Sequence, residues 1–239
     1  MERKPKTPER TLQPSPELAM IAAGRHGDPH TVLGPHLEGK GVTVRALRPL
    51  ADSVVVVTLD GEWPAVHVQD GVWAATLPTP TVPDYRLRVT YGDLTSLVDD
   101  PYRFMPSVGE VDLYLIGEGR HEELWTVLGA NLRAYPSVLG EVHGTSFAVW
   151  APNASRVSVV GEFNLWDGRR HPMRLRRECG VWEIFLPGVS VGMAYKFELL
   201  DAQGHLLPQK ADPFARQSEL RPATASVVAV MPPVAPPSP

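Results

Sequence analysis

The sequence has a single cysteine, Cys179, among its 239 residues, so no disulfide can form within the chain. This scarcity is typical of proteins from a reducing compartment, and we expect a cytoplasmic location. Long hydrophobic runs are also missing: the longest, Leu18 to Ala23, has six residues, far short of the roughly 20 that cross a bilayer. The first residues, 1–16, are charged and proline-rich and lack the apolar stretch of a secretory signal. We therefore expect no membrane partner.

The chain has no excess of positive charge. It carries 23 lysines and arginines against 27 aspartates and glutamates, a net charge of −4, which argues against a nucleic-acid partner. One basic run, from Arg169 to Arg177, is flanked by Asp167 and Glu178 and contains no interleaved aromatic residue. This pattern favours a solvated, partner-facing loop over a nucleic-acid site.

Short strand patterns separated by proline, glycine and aspartate fill most of the chain, with no helix-length period between them. They are Val42–Leu47, Val54–Leu59, Val72–Leu77 and Tyr85–Tyr91, and then Ser146–Trp150, Arg156–Gly161, Gly180–Leu186 and Ala194–Leu200. This spacing predicts an all-β protein of antiparallel sandwiches. Ser15 and Pro16 have the cap and first-turn chemistry of a short helix over 16–23, and a second short helix is expected around 121–128.

The two sets of strands form an internal sequence repeat. Three motifs recur in order: Thr31–Gly34 as Thr126–Gly129, Gly71–Trp73 as Gly180–Trp182, and Asp100–Tyr102 as Asp212–Phe214, with offsets of 95, 109 and 112. Offsets that rise steadily are expected when a duplicated domain acquires loop insertions. We predict a disordered tail over 1–15, a first sandwich over 16–112, a second over 113–228 and a proline-rich disordered tail over 229–239.

The candidate site is the stretch Gly161–Gly168, which follows a valine-rich strand. It places Phe163, Asn164 and Trp166 on a predicted turn. A flat indole on a turn suits stacking on a sugar face, and Lys196, on the outer face of a later strand, offers donors to sugar hydroxyls. The alternative is that the aromatic residues close the end of a sandwich as core residues, and both interpretations stay open at this point.

The matching positions of the first copy carry weaker chemistry. At an offset of 103, Trp63 falls on Trp166, and at an offset of 110, Arg86 falls on Lys196. Asp60–Glu62, however, stands where the second copy has Phe163–Leu165. We therefore expect the sugar contact in the second copy.

The sequence gives little support for a catalytic or a metal-binding site. His26 and His30 alternate with other residues, but neither a helix nor a hairpin is predicted there to bring them together. No pair of carboxylates is set in a framework that builds a catalytic cleft, and Cys179 has no activating neighbours. We expect no catalytic residue, no metal site and no cofactor in this chain.

The motifs resemble the N-terminal part of bacterial glycogen branching enzymes. The resemblance is carried by Gly161–Met173, Gly180–Glu183, Tyr195–Glu198, Lys210–Phe214 and Arg221–Ser226, together with Asp28–Gly34 and Asp99–Phe104, and covers roughly residues 24–228. It implies two tandem immunoglobulin-like β-sandwiches with short helices at the N-terminus and in the linker. The second sandwich would be of carbohydrate-binding module family 48, and a catalytic (β/α) barrel and a C-terminal β domain would follow.

The same resemblance implies a reaction. Branching enzymes cut an α-1,4-glucan and transfer the released segment to a 6-hydroxyl in glycogen biosynthesis, as glycosyltransferases that use an aspartate nucleophile and a glutamate acid/base. Both carboxylates belong to the barrel, so no position of this chain inherits a catalytic role, and whether the chain is an enzyme stays open. The partners implied are an α-1,4-glucan, either glycogen or a maltooligosaccharide, and a catalytic barrel if one is encoded downstream. Trp166, Lys196, Asn164 and Phe163 are the expected glucan contacts.

One departure from the resembled modules bears on affinity. Related glycogen-binding modules often carry a second tryptophan on the hairpin after Tyr-Lys-Phe, where this chain has Leu200–Leu206. Losing an aromatic stack worth about 1 kcal/mol or more weakens binding about tenfold. Two functions therefore remain: a weak glucan-binding and positioning region, or a structural or protein-interaction tandem without useful glucan affinity.

Overall fold

A computed structural model describes residues 13–230, so the predicted disorder of both tails falls almost entirely outside the described residues. The helices are α1 (Pro16–Ala22) and α2 (Glu110–Gly117). The strands of the first half are β1 (Gly34–Glu38), β2 (Gly41–Leu47), β3 (Ser53–Val57), β4 (Glu62–Pro64), β5 (Val66–Gln69), β6 (Val72–Leu77), β7 (Arg86–Tyr91) and β8 (Leu94–Val98). Those of the second half are β9 (Gly129–Tyr135), β10 (Val142–Trp150), β11 (Arg156–Gly161), β12 (Arg174–Arg176), β13 (Val181–Pro187), β14 (Ala194–Leu200), β15 (Gln217–Ser218) and β16 (Ser226–Val227). Within the described part, neither helix is long and apolar enough to cross a membrane.

The first module consists of two four-stranded sheets, β1-β2-β6-β5 and β4-β3-β7-β8, whose strands are antiparallel. Alternate side chains of facing strands, such as Val44 of β2 and Val56 of β3, meet in one buried apolar cluster. The second module has the sheets β9-β10-β13-β12 and β11-β14-β16-β15, which enclose a core that includes Phe147 and Phe197. The prediction of an all-β, antiparallel protein is confirmed.

A buried tyrosine–aspartate pair is present once in each module. The hydroxyl of Tyr85 donates to Asp100 at 2.7 Å, and that of Tyr195 donates to Asp212 at 2.5 Å. Each aspartate also accepts the backbone N–H two residues further on. Burial raises the pKa of both carboxyls and of both phenols. The repeat seen in the sequence therefore corresponds to a repeated buried hydrogen bond that ties the last strand region of each module to its core.

The two modules differ after the third strand of each copy. In the first, the chain forms the edge strand β4, and Trp63 lies opposite Val56 of β3, so its ring faces the first core. In the second, the corresponding segment forms no strand and instead becomes a 3-10 turn, Glu162–Asn164. Trp63 is therefore half-buried against the first core, whereas Trp166 lies on a projecting turn.

The prediction of a linker helix around residues 121–128 is wrong in position. Residues 121–128 contain only a 3-10 turn, Leu124–Thr126, and the helix of the linker is α2, 11 residues earlier at its start. The repeat gives the reason, since Leu124–Thr126 matches the 3-10 turn Pro29–Thr31 of the first copy. Glu110 and Asp112 in the first turn of α2 favour that helix through its dipole.

The modules share one continuous apolar cluster. Leu18 and Ile21 of α1, with Leu47 and Tyr102 of the first module, pack in the same buried cluster as Phe147 of the second. Because apolar burial is the main stabilising term in folding, we infer that α1 and the two modules stabilise one another.

Part of the basic run faces the linker and not solvent, which corrects the prediction of a solvated loop. Arg176 is buried and donates to the Val108 carbonyl, to Glu110 and to Glu183. The Glu183 carboxylate also accepts the N–H groups of Ser107 and Val108, at 2.6 and 2.9 Å. A buried arginine needs such partners, and here they fix the linker to the second module.

His171, at the end of the projecting loop, is held in its neutral form. Burial lowers its pKa to about 3, and the charges of Arg48 and Arg170 act in the same direction. The Asn164 side-chain amide lies 2.9 Å from the imidazole Nδ1, and a neutral ring accepts a hydrogen bond there whereas a protonated ring cannot. Protonation would therefore oppose both the burial of the ring and its contact with Asn164.

Removing the hydroxyl from either buried tyrosine should destabilise the protein. Tyr85→Phe and Tyr195→Phe each leave a buried carboxylate oxygen without its donor, and we expect each to lower the free energy of unfolding by about 1–3 kcal/mol. Urea unfolding measures the change. Tyr114→Phe, at a tyrosine that is 62% exposed, is the matched control and should stay close to wild type. Equal stability of all three variants would contradict a structural role for the pair.

His171 should make the protein acid-sensitive. Its pKa of about 3 in the folded state lies below the ordinary value of 6.5, so the unfolded state binds the extra proton as the pH falls below 6.5. Stability is thus full above that pH and decreases below it, by about 1.4 kcal/mol at pH 5.5 for one such group. His171→Gln should reduce the difference in unfolding free energy between pH 8 and pH 5.5 by that amount. The exposed His143, replaced in the same way, should leave the difference unchanged, and an equal effect of both variants would disprove the assignment.

Candidate functional site

The projecting turn of the second module is built around the side-chain amide of Asn164. Its Oδ1 accepts the Gly161 N–H at 3.0 Å, and its Nδ2 donates to the Val159 carbonyl at 2.9 Å and lies 2.9 Å from the ring of His171. Asn164 is 2% exposed. The amide is therefore fully engaged in shaping the turn, and a direct hydrogen bond to a sugar would require one of these contacts to break.

The next two residues carry an unusual backbone. Leu165 and Trp166 have φ angles of 59° and 58°, so two successive non-glycine residues are left-handed. Each such residue costs on the order of 1 kcal/mol. The Trp166 N–H donates to the Gly161 carbonyl at 2.9 Å and closes the turn. The result is a half-buried indole raised beside a 75% exposed leucine.

Arg156 forms the floor beneath this turn. Its guanidinium pairs with Glu198 of β14 and donates to the Gly24 carbonyl, just after α1, at 2.6 Å. Arg156 is 3% exposed, and its ion pair with Glu198 supplies the partner that a buried charge needs. Gly168 lies directly above this pair, where a β-carbon would overlap the Glu198 carboxylate. Glycine is thus required for the turn to lie this close to the sheet.

An open hollow of about 600 Å³ lies between the turn and the hairpin that follows β14; we call it the Trp166 hollow. Trp166 lies on one side, Arg156 and Glu198 form the floor, and Leu206 lies on the hairpin side. Leu206 is 64% exposed, at the hairpin where the sequence lacks a second tryptophan. The hairpin is shaped by Asp201, whose carboxylate accepts two backbone N–H groups.

Lys196 lies on the same outer face of β14 as Glu198, since they alternate with the buried Tyr195 and Phe197. Its ammonium donates to the Thr224 hydroxyl at 2.7 Å. The side chain does not line the Trp166 hollow. The structure therefore places Lys196 two residues along the strand from the hollow, as a neighbouring donor.

Phe163 turns away from Trp166. Its ring is half-buried against the core, 6.4 Å from the ring centre of Phe147 and 6.2 Å from that of His171. It lines a second hollow, between the two modules. Of the four predicted contacts, only Trp166 lies in the open hollow; Asn164 and Phe163 support the turn from beneath and behind.

The charges around the indole are mostly paired. Asp167 accepts three hydrogen bonds from Arg169, at 2.8 to 3.0 Å. These hydrogen bonds are the main reason why the pKa of Asp167 is lowered. In residues 13–230, no group of three or more histidines, cysteines or carboxylates is placed to hold a metal ion. The arrangement offers an aromatic plane with polar groups nearby, which is suited to a neutral polyhydroxylated ligand.

Two residues that line the hollow are not among the predicted contacts. The sequence predicts Arg156 and Glu198 only as strand residues, yet they form the floor of the hollow. Their cross-strand neighbours are Leu200 and Ser158, so the two charges lie on one face of adjacent strands. Alternation along β11 and β14 was the available signal, because it predicts that both residues point away from the core.

Comparison with known protein families matches two models in succession. Residues 14–102 match "alpha-1,4-glucan branching enzyme GlgB, N-terminal domain", and residues 127–215 match "Carbohydrate-binding module 48 (Isoamylase N-terminal domain)".

Curated relatives agree with these matches. The 1,4-alpha-glucan branching enzymes GlgB of Thermobifida fusca and Nocardia farcinica are 54% and 51% identical to this chain over 216 and 213 residues, in each case 89% of this chain and 28% of the relative. Among solved structures, a pullulanase from Anoxybacillus sp. complexed with maltotetraose matches with a TM-score of 0.34 at 15% identity, covering 83% of this chain and 26% of that chain.

The chain thus spans under a third of the length of these relatives. Within that span both family models fall on the two sandwiches, one on each, in the order in which the structure shows them. The chain carries the N-terminal domain of alpha-1,4-glucan branching enzyme GlgB, followed by a carbohydrate-binding module 48.

Proposed function

We propose that the second module binds an α-1,4-glucan, glycogen or a maltooligosaccharide, by stacking a glucose ring on Trp166. The observation that carries this is the indole held on a strained, projecting turn at the side of an open hollow, within a carbohydrate-binding module 48. Lys196 and Thr224 lie next along the same surface and supply donors to sugar hydroxyls. Asn164 and Phe163 act as positioning residues, since both hold the turn.

The biological role follows from the relatives. Because the relatives that match over 89% of this chain are named 1,4-alpha-glucan branching enzymes, we infer that the chain serves glycogen biosynthesis in the cytoplasm. It would hold a glucan near a catalytic barrel, which would transfer an α-1,4-linked segment to a 6-hydroxyl. The binding proposed here needs no metal and no cofactor, and it involves neither nucleic acid nor membrane.

A structural or protein-interaction role is the second candidate. It is favoured by exposed apolar side chains of the second module and the linker: Met105, Val111 and Trp150 are 80%, 71% and 58% exposed. A partner that covered these side chains would remove apolar surface from water, which is favourable. This candidate predicts that glycogen does not retard the protein in a native gel.

Replacing Trp166 should weaken glucan binding. Trp166→Ala removes the stacking plane, and we expect the dissociation constant for glycogen, measured by native gels with increasing glycogen, to rise about fivefold or more. Trp150→Ala is the matched control, because Trp150 is a tryptophan of the same module that is 58% exposed and does not line the hollow. Thermal unfolding of both variants checks that the turn survives. Unretarded wild-type protein, or equal retardation of wild type and Trp166→Ala, would refute the proposal.

Adding an aromatic side chain across the hollow should strengthen binding. Leu206→Trp supplies a second stacking plane opposite Trp166, and we expect about tenfold higher affinity for maltoheptaose by calorimetry. Leu37→Trp is the control, since Leu37 is also 64% exposed but lies on β1 of the first module. A gain that persists when Trp166→Ala is added would show that the new ring does not act within the Trp166 hollow.

A further inference from the structure

The Trp166 hollow continues into the first module. It shares Ala23, Asp167 and Arg169 with a neighbouring groove, which runs between the end of α1 and the loop after β2. That groove in turn shares Leu47, Pro49 and Arg170 with the hollow between the modules. The three depressions are therefore adjacent in series along the surface, and the turn that carries Trp166 borders all of them.

The last depression, which we call the intermodule cleft, has a volume of about 350 Å³. One wall is the β7–β8 hairpin, where Val89, Tyr91 and Leu94 share a face because Tyr91 lies opposite Leu94. Val89 is buried in the first core, whereas Tyr91 and Leu94 are 38% and 65% exposed. The same sheet face thus changes from core to open surface as it enters the cleft, and it presents an aromatic ring there.

Each module also contributes a guanidinium to the cleft, Arg48 from the first and Arg170 from the second. Within residues 13–230 the Arg48 guanidinium makes one hydrogen bond, from Nη1 to the Leu47 carbonyl at 2.8 Å, although a guanidinium has five N–H donors. The Arg170 Nε lies 3.9 Å from the Asp167 Oδ2, which is too long for a hydrogen bond. The cleft therefore combines an exposed aromatic ring with N–H donors that protein groups leave largely unused.

We propose that one α-1,4-glucan chain occupies both sites, running from Trp166 along the groove into the intermodule cleft, where it contacts Tyr91, Arg48 and Arg170. This rests on the proposed function, because it extends the chain held at Trp166. The first module then contributes residues to the same binding site. A long glucan binds more tightly than a short one because it reaches both hollows.

The cleft offers hydrogen-bond acceptors as well as donors. Asn164, His171 and Asp99 also line it, and Asp99 pairs with Arg86 and Arg103, so its charge is balanced within the protein. His171 adds no positive charge at neutral pH, since its pKa is lowered to about 3 by burial. Donors, acceptors and an aromatic ring around one space match the mixed polar and apolar faces of a sugar.

The experiment compares maltotriose with maltoheptaose by calorimetry on the whole chain. In wild type, we expect maltoheptaose to bind about fivefold more tightly or better, which is the value of one added aromatic contact. Tyr91→Ala should remove that advantage while leaving the affinity for maltotriose unchanged. Arg170→Ala, at an exposed side chain, should reduce the advantage as well. Tyr114→Ala and Arg120→Ala, at an exposed tyrosine and an exposed arginine of the linker, are the matched controls and should behave as wild type.

The outcomes separate this inference from the function on which it rests. If Trp166→Ala weakens binding of both sugars but Tyr91→Ala and Arg170→Ala match their controls, the cleft is not part of the site and the inference fails alone. If neither sugar binds wild type, the proposed function fails with it. If inorganic phosphate binds wild type, and Arg170→Ala abolishes that binding while the Tyr91→Ala variant keeps its preference for maltoheptaose, the cleft is an anion site and the inference is overturned.

Discussion

The candidate site depends most on the guanidinium of Arg156. It joins three parts of the chain that are far apart in sequence: the carbonyl of Gly24 after α1, the strand β11 that carries it, and Glu198 on β14. Because Arg156 is buried, loss of Glu198 would leave an unpaired charge, which costs several kcal/mol. The same pair limits position 168 to glycine and so determines how closely the turn approaches the sheet. The position of the indole is thus set by an ion pair beneath it.

The two copies of the repeat share a fold but differ at this turn. Both copies keep the buried tyrosine–aspartate pair, so the shared fold is retained. They differ after β3 and β11, where a short edge strand in one copy is replaced by a projecting turn in the other. The edge strand packs Trp63 against the first core, and the turn places Trp166 at the side of the open hollow. A tryptophan at a matching position therefore has a different role because its backbone differs.

The sequence could predict the class of fold and the repeat, because strand patterns and recurring motifs depend on local spacing. It also predicted that Trp166 lies on a turn, since turn-forming residues surround it. It could not place Asn164 or Phe163, because whether a side chain turns outward or inward depends on contacts with residues such as Val159 and Phe147. The burial of Arg176 has the same origin: partners 66 to 68 residues away, Glu110 and Val108, determine where that arginine lies.

The strained turn has a consequence for binding. Two left-handed residues cost on the order of 2 kcal/mol together, and the hydrogen bonds of Asn164, with that of the Trp166 N–H, offset that cost in the folded protein. The backbone that carries the indole is then fixed before any ligand arrives. Ordering a mobile turn on binding would lower the affinity. This matters for a site with a single stacking plane, because its affinity is already low. The strain of the turn and the modest predicted affinity are therefore connected. Because the turn is fixed in advance, the binding free energy of its one stacking contact is not spent on ordering the backbone.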